Sequence, residues 1–182
     1  MRKLVWLCVA VVALSLSVFA QDSRDFPKAE VFGGYSYLHS SIVGVGFNSH
    51  GGSGSLSVNP TNWLGLVADV GGYHSSDNGL GVTTISYLFG PRFVARSSSP
   101  VTPFVQVLFG GVHSSASIGG ASGSTNAFAM SAGGGLDVKV SPQVALRVIQ
   151  AEYLFTKLND GIDNHQNNVR VSAGIVFRFG GK

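Results

Sequence analysis

The sequence predicts an all-β chain: an eight-stranded antiparallel transmembrane up-and-down β-barrel. Three observations carry that expectation. First, residues 168–179 alternate almost without error. Val169, Val171, Ala173, Ile175, Phe177 and Phe179 fall on one parity, and Asn168, Arg170, Ser172, Gly174 and Arg178 on the other. Successive strand side chains face opposite sides of a sheet, so this strand has one oily face and one wet face. Its length suits the ~9–11 residues with which a tilted strand crosses a bilayer. Second, Arg2 and Lys3 precede an apolar run from Leu4 to Val18, and Val18-Phe19-Ala20 is a small-x-small cleavage site before Gln21. This is the pattern of a secretory signal peptide over 1–20. Third, no later apolar run approaches the ~18 residues of a membrane helix, while 25 glycines and 12% charged residues suit thin alternating strands. A chain with only two-residue periodicity spans a membrane as a closed barrel, because every backbone polar group must be paired where water is absent.

Charge and cysteine usage narrow the classes further. The 12 basic residues exceed the 9 acidic ones by three, but Arg2 and Lys3 leave with the export signal, so the mature chain is nearly neutral. Near-neutrality gives no basis for nucleic-acid binding. The single cysteine, Cys8, lies inside the signal with most of the apolar run after it, which does not fit a lipidation site. Without cysteine, the exported chain must rely on hydrogen bonding and its surroundings rather than on disulfides.

The elements follow in order. Residues 21–28 form a polar, flexible lead ending near Pro27, and the barrel domain occupies 29–182. The first strand, 29–38, sets Glu30 and Ser36 on the wet face, and the second, 51–58, is closed off by a proline turn. The third, 63–74, carries Asp69 inward. Ser86 and Arg92 do so from 81–96, Gln106 from 103–113, and Asp137 from 126–140. Glu152 marks the seventh strand, 144–155, and Ser172, Arg170 and Arg178 the eighth, 168–179. Residues 59–62, 97–100 and 141–143 are tight turns rich in Pro, Asn and Ser. Longer polar segments, 39–50, 75–80, 114–125 and 156–167, alternate with them. Short periplasmic turns alternating with longer external loops characterise outer-membrane barrels, which places both termini in the periplasm.

Aromatics gather toward strand ends: Tyr35, Tyr37, Trp63, Tyr73, Tyr87, Phe89, Phe93, Phe104, Phe109, Phe128, Tyr153, Phe155, Phe177 and Phe179. Rings at the headgroup level form the expected girdles. An eight-stranded barrel is filled by its side chains, so the inward charges are expected to pair into a structural network. Arg147 breaks the parity set by Gln150 and Glu152. A misplaced register, a bulge or snorkelling near the periplasmic interface each accounts for it, and the last is preferred. Glycine runs at 33–34, 71–72, 110–111 and 133–135 are expected where the wall bends or large lumen side chains need room. None has the spacing of a phosphate loop.

His39, His74 and His113 end upward strands, and His50 and His165 fall in loops, so all five are expected on the external side. With no short-range ligand pair they read as solvated side chains rather than a metal centre. His39-x-Ser41, His74-x-Ser76 and His113-x-Ser115 are similar to the His-x-Ser of outer-membrane lipid A deacylases, but only Asp77 lies close to any of them. A triad needs an acid oriented against its histidine.

The opening Val31-Phe32-Gly33-Gly34-Tyr35-Ser36-Tyr37 and the close Ser172-x-Gly174-x-x-Phe177-x-Phe179 resemble the small outer-membrane β-barrel family of the OmpA transmembrane domain, OmpX and opacity-type proteins. The resemblance implies an outer-membrane location in a Gram-negative bacterium, with outer-membrane lipid and lipopolysaccharide as surroundings. It also implies recognition of the C-terminal strand by the barrel-assembly machinery. Gly180-Gly181-Lys182 departs from members that end on the aromatic, and no peptidoglycan-binding domain is expected after the barrel. The fold hosts several functions. A structural or adhesin-like surface role without catalysis is expected, with a monomer, no cofactor, no metal and no catalytic residue; a narrow pore is the alternative and a lipid A-modifying enzyme the third.

Overall fold

The computed structural model describes residues 26–42, 45–77, 80–118, 121–157 and 166–181. The expected export signal at 1–20 and most of the expected lead lie outside them. Eight strands follow one another: β1 (Ala29–Ile42), β2 (Val45–Val58), β3 (Leu64–Asp77), β4 (Leu80–Val94), β5 (Val101–Ile118), β6 (Ala121–Lys139), β7 (Val144–Lys157) and β8 (Gln166–Phe179). Each pairs antiparallel with its chain neighbour, and β8 returns to β1 to close the barrel. Closure leaves no open sheet edge.

The strands are longer than the alternation alone marks. Residues expected in loops continue the ladders: Ile42 pairs with Val45, Asp77 with Leu80, and Ile118 with Ala121. Ser, Gly and Asn in these stretches have no apolar face to advertise a strand, yet once register is fixed their backbones extend the same hydrogen-bond pattern. The widest interval is between Lys157 and Gln166. At the opposite, turn end, β3 starts at Leu64 and β4 stops at Val94, slightly inside the expected limits. There Arg96 leaves the sheet and donates through Nη1 to the Asn62 carbonyl at 2.5 Å. Thr61 Oγ1 accepts from the Leu64 N–H at 3.1 Å, and Ser141 Oγ from the Val144 N–H at 3.1 Å, satisfying donors in two of the turns. Lys28 ties the lead to the wall, donating to Phe179 O and accepting from Asn59 N. Gly180 leaves β8 at φ 73°, a left-handed turn that glycine enters without steric cost.

One wall position is irregular. The β7 register shifts between Arg147 and Gln150, with Val148 and Ile149 both exposed on the outer surface. This is a β-bulge, the extra residue restoring parity on either side.

Candidate functional site

Every polar side chain assigned to the wet face lies inside the barrel. Glu30, Asp69, Arg92, Gln106, Asp137, Glu152, Arg170 and Arg178 are buried, as are Ser36, Ser86 and Ser172. Val169, Val171, Ala173, Ile175, Phe177 and Phe179 are exposed on the outside. Arg147 is corrected. It does not snorkel outward but is 1% exposed in the lumen, because the bulge at 148–149 absorbs the parity error.

The lumen is a connected polar core. Arg170 on β8 bonds Glu152 on β7 through Nε at 2.7 Å and Asp69 on β3 through Nη1 at 2.7 Å. Glu152 Oε1 also accepts from Gln106 Nε2 (2.8 Å) and Ser131 Oγ (2.9 Å), and Oε2 from Gln150 Nε2 (2.8 Å). Arg147 grips Asp137 with both prongs, Nε to Oδ1 at 2.8 Å and Nη2 to Oδ2 at 3.0 Å, and lies between the rings of Phe32 and Phe104. Arg92 donates to Gln106 at 2.8 Å and stacks on the same Phe104 ring. Such matching of guanidinium, carboxylate and π-face is what makes buried charge tolerable. Near the turn end, Glu30 takes Arg178 at 3.2 Å and Arg96 at 3.3 Å. Burial pushes the Arg96 guanidinium below its ordinary value, and the neighbouring Glu30 charge opposes the shift.

Glycine makes room for this core, as the runs suggested. A Cβ on Gly135 would stand 2.7 Å from the Phe104 ring, and one on Gly111, on the outer wall, would strike Tyr87. Beyond the charges, Leu38, Val67, Tyr73, Leu88, Leu108, Val112, Ala129 and Leu154 form one buried apolar cluster drawn from six strands. Along five strands the apolar member sits farther toward the hairpin end than its polar neighbour: Leu38 past Ser36, Leu88 past Arg92, Leu108 past Gln106, Ala129 past Ser131 and Leu154 past Glu152. Apolar and charged side chains thus interleave, with Leu88 opposite Asp69 and Leu38 opposite Arg170.

Two expected girdle members belong to this interior. Tyr73 (2% exposed) and Phe104 (4%) face the lumen, sharing parity with Asp69 and Gln106. The remaining rings do form two outer belts. Trp63, Phe93, Phe177 and Phe179 sit toward the turn end, with Tyr35, Tyr87, Phe109, Phe128 and Tyr153 toward the hairpins, all well exposed.

His39, His74 and His113 stand in upward strands as expected, whereas His50 is a strand residue and not a loop residue. His50 stands in β2 opposite His74 in β3, and His39, His50, His74 and His113 all occupy outward positions; His165 lies outside the described residues. Their Nδ1 atoms meet neighbours on adjoining strands: Asn48 Oδ1 for His39 (2.7 Å), Thr83 Oγ1 for His74 (3.2 Å) and Asn126 Oδ1 for His113 (2.8 Å). Tyr35 Oη meets Nδ1 of His50. None of these partners is the carboxylate a His-x-Ser triad would need, and Asp77 closes β3 beyond the described side chains. Among the described residues no cluster of three metal-ligating side chains occurs.

A closed eight-stranded barrel with an apolar exterior, aromatic belts and a charged, filled interior is built inside out relative to a water-soluble barrel; it is an integral membrane β-barrel. The chain belongs to the outer membrane protein beta-barrel domain family, whose model matches residues 7–177. Its fold is similar to the crystal structure of Neisserial surface protein A, NspA, at TM-score 0.73 and 17% identity, covering 84% of this chain and 97% of that one. It is also similar to Ail, the attachment invasion locus protein of Yersinia pestis (TM-score 0.63, 19% identity, 85% and 99% covered). The N-terminal β-barrel domain of Pseudomonas aeruginosa OprF follows at TM-score 0.56 and 13% identity, with 85% and 99% covered. No curated protein sequence matches the chain.

Proposed function

We propose that this protein is a non-conducting, non-catalytic outer-membrane barrel that holds its hairpins at the bacterial surface for contact with other molecules, with both termini in the periplasm. The filled lumen supports this reading: among the described residues its charges are paired across strands and packed beside an apolar cluster. Length supports it as well. β5 and β6 run 18 and 19 residues, well past the ~9–11 that cross a bilayer, so their shared hairpin stands clear of the membrane. The fold likeness to an attachment invasion locus protein agrees with a surface role. Ail has also been crystallised with the heparin analogue sucrose octasulfate. Among the described outward residues at the hairpin end here, Lys157 is the one permanent cation, so binding of sulfated polysaccharide at neutral pH is not favoured.

Replacing 115–124 with a two-residue Asn-Gly turn, which suits a tight hairpin, tests the role. Cells displaying the shortened barrel should fold it normally yet attach less to host surfaces than cells displaying the parent. The parent should be silent in planar bilayers. Steady discrete current would instead make it a narrow pore.

A further inference from the structure

The outward face changes character abruptly toward the hairpins. Along β3 it runs Leu66, Ala68, Val70, Gly72, then His74; along β1, Tyr35, Tyr37, then His39; along β5, Val105, Val107, Phe109, Gly111, then His113. His74 lies ten residues past Leu64, and His113 ten past Pro103. At ~3.3 Å per residue and a tilt of ~40°, ten residues climb about 25 Å, the height of the apolar band of such barrels. The imidazoles therefore stand at the headgroup level.

They form part of a polar ring, interrupted by Ile85 opposite His113 and by Val169 opposite His39. Going round the wall, His39 pairs with Asn48, His50 with His74, His74 with Thr83, and His113 with Asn126. Lys157 follows opposite Phe128. Among the described side chains, the titratable and charged groups facing these histidines from adjoining strands are Tyr35, Tyr37 and one another. The acids whose side chains are described, Glu30, Asp69, Asp137 and Glu152, are all inside the lumen. Among the described side chains none offers these imidazoles an anion. Where Asn48 and Asn126 accept at Nδ1, the proton is gained at Nε2, which then becomes a new donor.

We propose that this histidine ring is an acid-switched binding site for the phosphate groups of surrounding lipid headgroups. Protonation of the imidazoles adds positive charge to a collar that otherwise carries only Lys157 among its described side chains, and gathers anionic lipid around the barrel. An imidazole changes charge between about pH 5 and 8, and a cation at the surface attracts anionic lipid appreciably.

The test uses the full mature barrel in phosphatidylcholine vesicles and spin-labelled phosphatidylglycerol, whose phosphate does not titrate in this range. Electron paramagnetic resonance reads the selectivity of the lipid layer touching the protein. Selectivity for the anionic probe should rise about threefold to tenfold from about pH 8 to about pH 5.5, and H39Q/H50Q/H74Q/H113Q should abolish the rise. If that variant folds poorly, H39Q/H113Q should reduce the rise by roughly half. An equal rise in parent and variants overturns the proposal. So does loss of the effect when inorganic phosphate replaces buffer anion at equal ionic strength, since the site would then take free phosphate rather than lipid.

Discussion

Arg170 on β8 and Asp69 on β3 meet at 2.7 Å across the lumen although 101 residues separate them in the chain. The same guanidinium holds Glu152 on β7, so one side chain ties three strands that are otherwise linked only around the wall. Removing Arg170 would leave two buried carboxylates facing each other without a cation. Breaking a buried pair in this way costs ~3–5 kcal/mol. Arg170→Ala should lower the urea midpoint of folding into vesicles accordingly, and an unchanged midpoint would show that water enters the core.

Arg147 and Asp137 allow a complementary experiment. Their bidentate pair is buried, and Arg147 stacks on the rings of Phe32 and Phe104. Arg147→Met combined with Asp137→Leu should be far less harmful than Arg147→Met alone, because replacing both partners with apolar groups leaves no stranded charge. A double variant as unstable as the single one would mean that the pair fixes the bulge itself.

Depth governs the outer surface. Ile175 lies within the apolar band of β8, and Val169 near its hairpin end. Arginine at Ile175 should cost ~2–4 kcal/mol and at Val169 ~0–1, by the depth dependence of charge on the lipid face. Vesicle-folding titrations would check it. Ser172 offers no cheap control, since it is fully enclosed and hydrogen-bonded to Ser36 at 2.6 Å.

Trp63 provides an optical depth gauge. The other tryptophan, Trp6, lies in the expected export segment. Trp63 is 53% exposed on the outer wall at the turn end and stacks on Phe93 at 6.1 Å. Its fluorescence should be quenched best by lipids brominated near the headgroup. Strongest quenching by bromine at the chain ends would displace the membrane along the barrel.

Orientation has its own assay. An epitope inserted at Gly120, between β5 and β6, should be stained on intact cells, whereas one at Ser98 should need permeabilisation. The opposite pattern would turn the barrel over.

Parity made most of the wall and the lumen legible in the sequence. Asp69, Arg92, Gln106, Glu152 and Arg170 alternate with lipid-facing neighbours, and period-two alternation assigns a face to each residue without knowledge of its partners. It fails where two adjacent residues share a face: Val148 and Ile149 are both apolar, so the parity break at Arg147 marks an irregularity without telling a bulge from a snorkelling side chain. Aromatic type was equally uninformative for Tyr73 and Phe104, which fill the interior beside charges rather than the headgroup belt. The far strand ends escaped notice because Ser and Gly show no oily face. Hence His50, with Ser and Gly around it, read as a loop residue although it stands in the wall. Which acid meets which arginine was beyond alternation altogether, since that depends on the stagger between strands.

The seam between β1 and β8 runs from Ala29 opposite Phe179 to Ser41 opposite Asn167. Its two halves are the earliest and the latest strands to be synthesised, and contacts between distant segments are the slowest to form. Until β8 arrives, β1 is an unfinished edge able to accept a foreign strand of similar length, including the β8 of another copy. The danger to this molecule is therefore one of timing: its weakest moment comes before the last strand docks.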